Sequence, residues 1–427
     1  MDGKDINMKN LIYILIILFI SNLSRAQWTE QISGITSALW SVSAVDNNVV
    51  WICGGGGKVL RTTNGGANWD ITTSPNSSLN LYSIWAVNDS VALVAGSGNA
   101  AIVYKTVNSG NNWSQVYYQY GGYINAISGY SLSTDDTLFM CGDPLGNRWQ
   151  LWKSTNMGTS WDSTGLFLPV SGSEAGYWNS LYCLRGKYNE IKIWFGTNNT
   201  RIYKYSYGQN WTSQPTTGST SIFRILFADS QGGVAGGESR LLFTSNGGQN
   251  WILSGNIPGS GWIIGLARID GLNMFYARNN SIYRTTNGGI NWVLLTSQAG
   301  NYYHMIKART GNNIWAVRDN GGISKYTYTI DIKPISSEIP EKYSLLQNYP
   351  NPFNMTTNIK YALLMNGFVK LAVFDILGKE LEILVNEKQN AGTYELSFDA
   401  ARYSSGIYLY KFSSGDYTDV KRMVLVK

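Results

Sequence analysis

The chain has 427 residues, length for about two or three domains. Charged residues make up only 14% while aromatics reach 13%, with 46 glycines and 16 tryptophans; this balance excludes disordered and coiled-coil classes and fits short strands joined by tight turns. The net charge of +6 is spread without a Lys/Arg cluster that could track a phosphate backbone, so no nucleic-acid partner is expected.

Residues 1–26 carry Lys4 and Lys9, an apolar run from Leu11 to Ile20 and the small-x-small triplet Ser24-Arg25-Ala26, the pattern of a cleaved signal peptide. That run falls short of the roughly 18 apolar residues of a membrane-spanning helix, and no later stretch reaches that length. The mature chain is therefore expected to be exported, soluble and without a transmembrane segment.

Residues 27–330 are organised by a repeat. Six near-copies of one string occur: TTNGGANW, TVNSGNNW, STNMGTSW, KYSYGQNW, TSNGGQNW and TTNGGINW. Their final tryptophans, Trp69, Trp113, Trp161, Trp211, Trp251 and Trp292, are separated by 44, 48, 50, 40 and 41 residues, and Trp28 lies 41 before the first. Such a period marks a solenoid, propeller or array. One unit, Trp40 to Trp69, reads as four short strands rich in β-branched and aromatic residues, the content of a propeller blade. The segment from Tyr303 to Tyr326 supplies three strands without a box, and Trp28 begins a lone strand at the other end. Pairing the two would close a seven-bladed β-propeller and remove its open edge. The expected fold class is all-β: this propeller followed by a small Ig-like sandwich.

Within each box, Asn64, Asn108, Asn156, Asn246 and Asn287 can fold back onto the turn, and Gly66, Gly110, Gly158, Gly208, Gly248 and Gly289 can take positive φ. The tryptophan then serves as an apolar plug at the blade edge. The string resembles the Asp-box (BNR) repeat, S-x-D-x-G-x-x-W, with Asn in place of Asp. The fourth copy departs furthest, with Lys204 and Ser206 at the Ser/Thr and Asp positions. The resemblance implies turn chemistry on the outer rim, a structural role.

Aromatics also recur 10 to 17 residues beyond each box tryptophan, where the next innermost strand should begin: Trp40, Tyr82, Tyr123, Trp178, Phe223, Trp262 and Tyr303. These seven rings are candidates for a ligand-binding mouth, set against simple packing between blades. Catalytic chemistry is thin. His304 is the sole histidine, so no Ser-His-Asp or Cys-His set has a choice of partner, and no metal spacing exists. No catalytic residue, cofactor or metal is assigned. Cys53, Cys141 and Cys183 read as buried apolar residues, with a Cys141–Cys183 bridge left open. Asp135, Asp136, Asp143, Glu174 and Glu190 are the acids a glycosidase would draw on, but their spacing selects no pair. Phe223-Arg224-Ile225-Leu226 resembles the F-R-I-P arginine of sialidases, though displaced along the chain and lacking the proline.

Residues 331–340, with two prolines, read as a linker. Residues 341–427 alternate apolar and polar in short runs, as in an antiparallel sandwich. The ordered set Asn348-Tyr349-Pro350-Asn351-Pro352-Phe353-Asn354, then Gly378 in DILGK, then Gly406 and Tyr408 in SSGIY, resembles the type A sorting domain of the type IX secretion system. Met355 and Phe374 stand where that family usually has Pro and Tyr. The resemblance implies passage through the periplasm to the outer surface of a Gram-negative cell, with the type IX machinery as partner and removal of the tail in many members.

The blades also resemble photosystem assembly factors built from this repeat, which act as binding platforms. The reading is a secreted or surface-displayed monomeric propeller binding a polysaccharide or protein. The alternative is a sialidase-like or xyloglucanase-like glycoside hydrolase.

Overall fold

The structure, a computed structural model, describes residues 28–130, 137–185, 190–206, 208–219, 221–269, 271–327, 332–336, 338–400 and 403–427. The signal-peptide expectation and Asp135-Asp136 lie outside the described residues. Seven antiparallel sheets surround a channel, the seven-bladed propeller that the repeat predicts. Their innermost strands are Leu39–Ala44, Asn80–Ala86, Ala126–Gly129, Tyr182–Arg185, Arg224–Phe227, Ile263–Arg268 and Tyr302–Lys307, and residues of all seven line one central cavity.

Closure follows the expected route. Trp28–Gln31 pairs antiparallel with Ile323–Tyr326, Trp28 opposite Tyr326, so the last sheet contains both ends of the propeller sequence. Trp28 is buried against Phe275 of the preceding blade and Tyr326 of its own. Glu30 locks the pairing by accepting from buried Arg318 and, at 2.5 Å, from Ser324 Oγ.

The second strand of a blade lies between neighbouring sheets, so it reads as a continuous apolar run instead of an alternation. Val50–Gly54, Ile314–Arg318 and Met274–Arg278 are buried throughout. The box tryptophans knit blades together edge-on. Trp69 meets Trp315 of blade 7 at 5.8 Å and Trp113 meets Trp51 of blade 1 at 6.4 Å, both T-shaped.

One blade departs from four strands. In blade 3 the sheet Ala126–Gly129, Leu138–Leu145, Arg148–Ser154 has no regular fourth strand, only isolated bridges from Asp162 to Lys153 and Pro169 to Arg148. Pro169 has no N–H to give the ladder, and Gly165 at φ +77 bends the segment between the bridges.

In the first box the Thr62 hydroxyl donates to Asn64 Oδ1 at 2.9 Å and accepts from the Gly66 amide at 2.9 Å, while Asn64 Oδ1 accepts from the Asn68 amide at 3.0 Å. The same bonds recur around Asn108, Asn156, Asn246 and Asn287. In the fourth copy Lys204 instead donates to Gly247 O of the next blade at 3.0 Å. Gly66 sits at φ +83, and a Cβ there would lie 3.0 Å from the Trp315 ring. Both facts demand glycine. Gly66→Ala is expected to cost about 1–3 kcal/mol, read as a lower urea midpoint, whereas Gly146→Ala in an open turn lacks the steric part.

The tail forms two four-stranded sheets face to face. One is Lys333–Ser336, Gly392–Asp399, Thr356–Leu363, Ser344–Leu345; the other is Glu380–Gln389, Gly367–Phe374, Gly406–Ser414, Tyr417–Leu425. The linker reading needs correction: Lys333–Ser336 pairs with Gly392–Asp399 and belongs to the sandwich, with Pro334 tolerated because the strand is at an edge. Asn348, 2% exposed, is held by Tyr410 Oη on its amide at 2.8 Å and donates its Nδ2 to Pro350 O and Thr357 Oγ1. Asn351 Oδ1 accepts the Val424 amide at 2.8 Å. Phe353 enters the core with Phe398, whereas Tyr349 stands exposed and Asn354 beside it points to solvent. Gly378 takes φ +81 in a turn that Asp375 caps, and the Tyr408 hydroxyl donates to Ser404 O at 2.7 Å. The three cysteines are free and buried; Cys141 and Cys183 share one apolar cluster without a bond, so the bridge left open does not form.

Candidate functional site: the aromatic end of the channel

Equivalent innermost strands start at the same end of the channel, so the recurring aromatics are gathered there. Trp178 stacks on Tyr82 with centroids 4.4 Å apart, and Tyr82 stacks on Trp40 at 4.9 Å. Trp40 and Tyr303 lie 6.0 and 6.5 Å from Trp178, and Tyr123 lies 5.7 Å from Tyr82. Trp178 Nε1 donates to the Tyr123 hydroxyl at 2.5 Å, and burial pushes that phenol up, keeping it protonated. Phe223 stacks on Trp262 at 4.9 Å and meets Tyr177 at 4.4 Å.

The arrangement corrects the expected ring around an open mouth. Five aromatics form one cluster with Trp178 among them, and the Phe223–Trp262 pair stands beside it. Phe223 is 3% exposed and cannot touch a ligand; Trp262 is 59% exposed and offers the largest free face.

What closes the channel is an insertion. The stretch from Trp161 to the next innermost strand is the longest between blades, and Trp178 and Asn179 lie at its end. Asn179, at φ +58, accepts from Ser41 Oγ at 2.8 Å and donates to the carbonyls of Trp40 and Tyr82 at 3.3 and 3.2 Å. Arg224 reaches across from blade 5: its guanidinium donates to the carbonyls of Trp178, Phe223 and Tyr303. Burial pulls Arg224 down to about 9, still charged at neutral pH. The arginine that resembles the sialidase motif is thus spent on backbone carbonyls. The sequence reading missed its role because its partners come from blades 4 and 7; the 17-residue offset to Trp178, against 10 to 13 elsewhere, was the available signal for the insertion.

His304 lies under this cap. Its Nδ1 accepts the Val42 amide at 3.1 Å, which leaves the proton on Nε2, and burial with the Arg224 charge holds its pKa well below the ordinary value. The folded pKa is depressed, so this stability is present above the unfolded value of about 6.5 and is lost as pH falls below it, at up to about 1.4 kcal/mol per pH unit. Urea titrations between pH 7 and pH 5 should show His304→Gln losing less stability than the parent.

Each described candidate acid is engaged by neighbouring groups. Asp143 Oδ1 accepts from Asn125 Nδ2 and the Gly176 amide, both at 2.8 Å. Glu174 is buried and takes Tyr203 Oη at 2.9 Å, Arg201 Nε at 3.0 Å and Trp149 Nε1 at 3.1 Å. Both fasten the segment that carries Trp178. Glu190 pairs with Lys192 at 3.1 Å on the surface. Among the described residues no group of three His, Cys, Asp or Glu side chains is placed to hold a metal, and no helix is long and apolar enough to cross a membrane. The aromatic end can stack on a ligand and exchange hydrogen bonds with it.

Residues 347–427 match the family described as the secretion system C-terminal sorting domain. The tail is a secretion sorting domain. It directs the chain to the type IX machinery, and the protein is a secreted β-propeller bound for the cell surface or extracellular space. The buried Asn348, the Asn351 bridge and the Phe353 anchor give the first motif its structural role: these residues tie the entering chain to the last two strands. No curated protein sequence matches the chain. Two structures of YCF48 resemble it: one bound to D1 peptide (16% identity, 72% of this chain and 98% of that one, TM-score 0.55), the other from Cyanidioschyzon merolae (18%, 70% and 99%, 0.55). The WD40 β-propeller domain of Doa1 is similar at 10% identity, 70% of this chain and 97% of that one, TM-score 0.54. At these identities the likeness is one of fold.

Proposed function

We propose that this secreted propeller is a binding module whose aromatic end recognises an extracellular polysaccharide. The observation that carries the reading is the continuous cluster Trp40–Tyr82–Trp178–Tyr303 with Trp262 exposed beside it, fixed from behind by Asn179 and Arg224. Preorganised rings stack on sugar faces without further ordering cost. Hydroxyls of Tyr82, Tyr123 and Tyr177 at the same end supply hydrogen bonds to match sugar hydroxyls. YCF48, a propeller of similar fold solved bound to D1 peptide, lends a protein ligand some support. The hydrolase alternative has no comparable support: Asp143 and Glu174 are committed to the segment that carries Trp178. The Asn boxes serve as turn locks within blades, and the boundary between propeller and tail falls ahead of Lys333.

Trp262→Ala is the sharpest test, because an exposed ring can be lost with little effect on folding. We expect at least about a tenfold loss of glycan-array binding with an unchanged melting temperature. Unchanged binding in that variant and in Tyr303→Ala would remove the aromatic end as the recognition face. Turnover of a chromogenic glycoside would restore the hydrolase.

A further inference from the structure

The other end of the channel has opposite chemistry. The innermost strands of blades 4, 6 and 7 finish in Arg185, Arg268 and Lys307, with Asp229 of blade 5 the acid among them. These side chains line a cavity of about 1080 Å³, and its far wall is the sorting domain, through Glu382, Asp399, Leu384 and Phe398. Glu382 spans the boundary: Oε1 accepts from Asn312 Nδ2 of the propeller at 3.5 Å and Oε2 from Tyr403 Oη at 3.0 Å.

Cations converging from three blades on a concave, low-dielectric space raise one another's energy unless anions face them, and their field draws in anionic partners. Here the sorting domain brings the carboxylates of Glu382 and Asp399 to that space, with Lys427 on the same wall. We infer that this end of the channel is a binding site for an acidic polypeptide segment, and that the sorting domain holds it through Glu382 and Asp399 until the tail is removed. The occupant present is a polypeptide face that carries two carboxylates, so an acidic peptide fits the same mouth. Release of the tail converts a covered cavity into an open cationic mouth. The inference is independent of the aromatic end, which lies at the opposite side of the Trp178–Asn179 cap.

The test uses the full chain with a protease site introduced between the two domains and a fluorescent poly-glutamate peptide as probe. Binding is read by anisotropy before cleavage and after separation of the tail. The separated propeller should bind at least about tenfold more tightly than the intact chain and weaken as salt rises. Arg185→Glu with Arg268→Glu should abolish that gain without altering the melting curve. A second arm needs no cleavage: Glu382→Lys with Asp399→Lys in the intact chain should raise probe binding by loosening the cover. Equal binding before and after cleavage, a gain that survives the arginine changes, or tighter binding of polygalacturonate than of poly-glutamate would overturn the assignment.

Discussion

Deleting Trp28–Gln31 should convert a closed propeller into an aggregating one. Four residues supply the outer strand of the last blade: the register Trp28↔Tyr326 to Gln31↔Ile323, the buried Trp28 ring and the carboxylate that Arg318 requires. Without them, the edge of Ile323–Tyr326 is an unpaired template for another chain. Arg318, 5% exposed, would keep its charge and lose its partner, at about 3–5 kcal/mol, and the vacated Trp28 site would add about 3–5 kcal/mol more. The sum rivals the entire stability of an ordinary domain. Size-exclusion chromatography with light scattering reads the result directly. A deleted chain that stays monomeric with the parent's melting temperature would mean the ring holds shut by other contacts. Glu30→Gln is a milder probe: its one amide oxygen still accepts from Arg318, while the charge and the second acceptor are removed.

Arg224→Met is expected to have the second largest effect, on stability and on the aromatic end together. The guanidinium donates to three carbonyls contributed by blades 4, 5 and 7, and methionine fills similar volume without a donor. Each carbonyl left unpaired in a buried setting costs about 1–3 kcal/mol, offset in part by relief of burying the charge. A net loss of about 2–4 kcal/mol follows in urea unfolding. Trp178 would lose its tether, so binding at the aromatic end should fall at least about tenfold. Loss of binding with undiminished stability would instead mark Arg224 as a direct ligand contact, closer to the sialidase resemblance. The His304 pKa provides an independent readout: with the Arg224 charge gone, one of the two causes that depress it disappears, so it should rise towards its ordinary value.

Most of the fold was legible because its determinants are local and repeated. The box string fixes a turn with its own side chains: Thr62, Asn64 and Gly66 satisfy one another within five residues, and that closure recurs wherever the string does. The period then fixes the blade count, and the orphan strand at Trp28 fixes the closure. The sorting motif was legible for a similar reason, as a string whose polar members meet a few strands away. Less regular features escaped. Blade 3 lost its regular outer strand to Pro169 and Gly165, and Lys333–Ser336 joined the sandwich although its prolines read as a linker. Each turns on whether an edge strand accepts a proline, which depends on its neighbours and not on composition.

The sequence by itself therefore determined a seven-bladed, exported propeller with a sorting tail, since spacing, turn chemistry and alternation are properties of consecutive residues. Only the tertiary structure decided what the channel is. The seven aromatics recur at matching offsets, yet their fates differ: Phe223 is buried, Trp262 is exposed and Trp178 closes the opening. Those fates are set by Asn179 and Arg224, whose cross-blade partners lie 46 to 139 residues away in the chain. A side chain that satisfies carbonyls from several blades has no periodic signature, because the groups it answers to become neighbours only when the ring has closed.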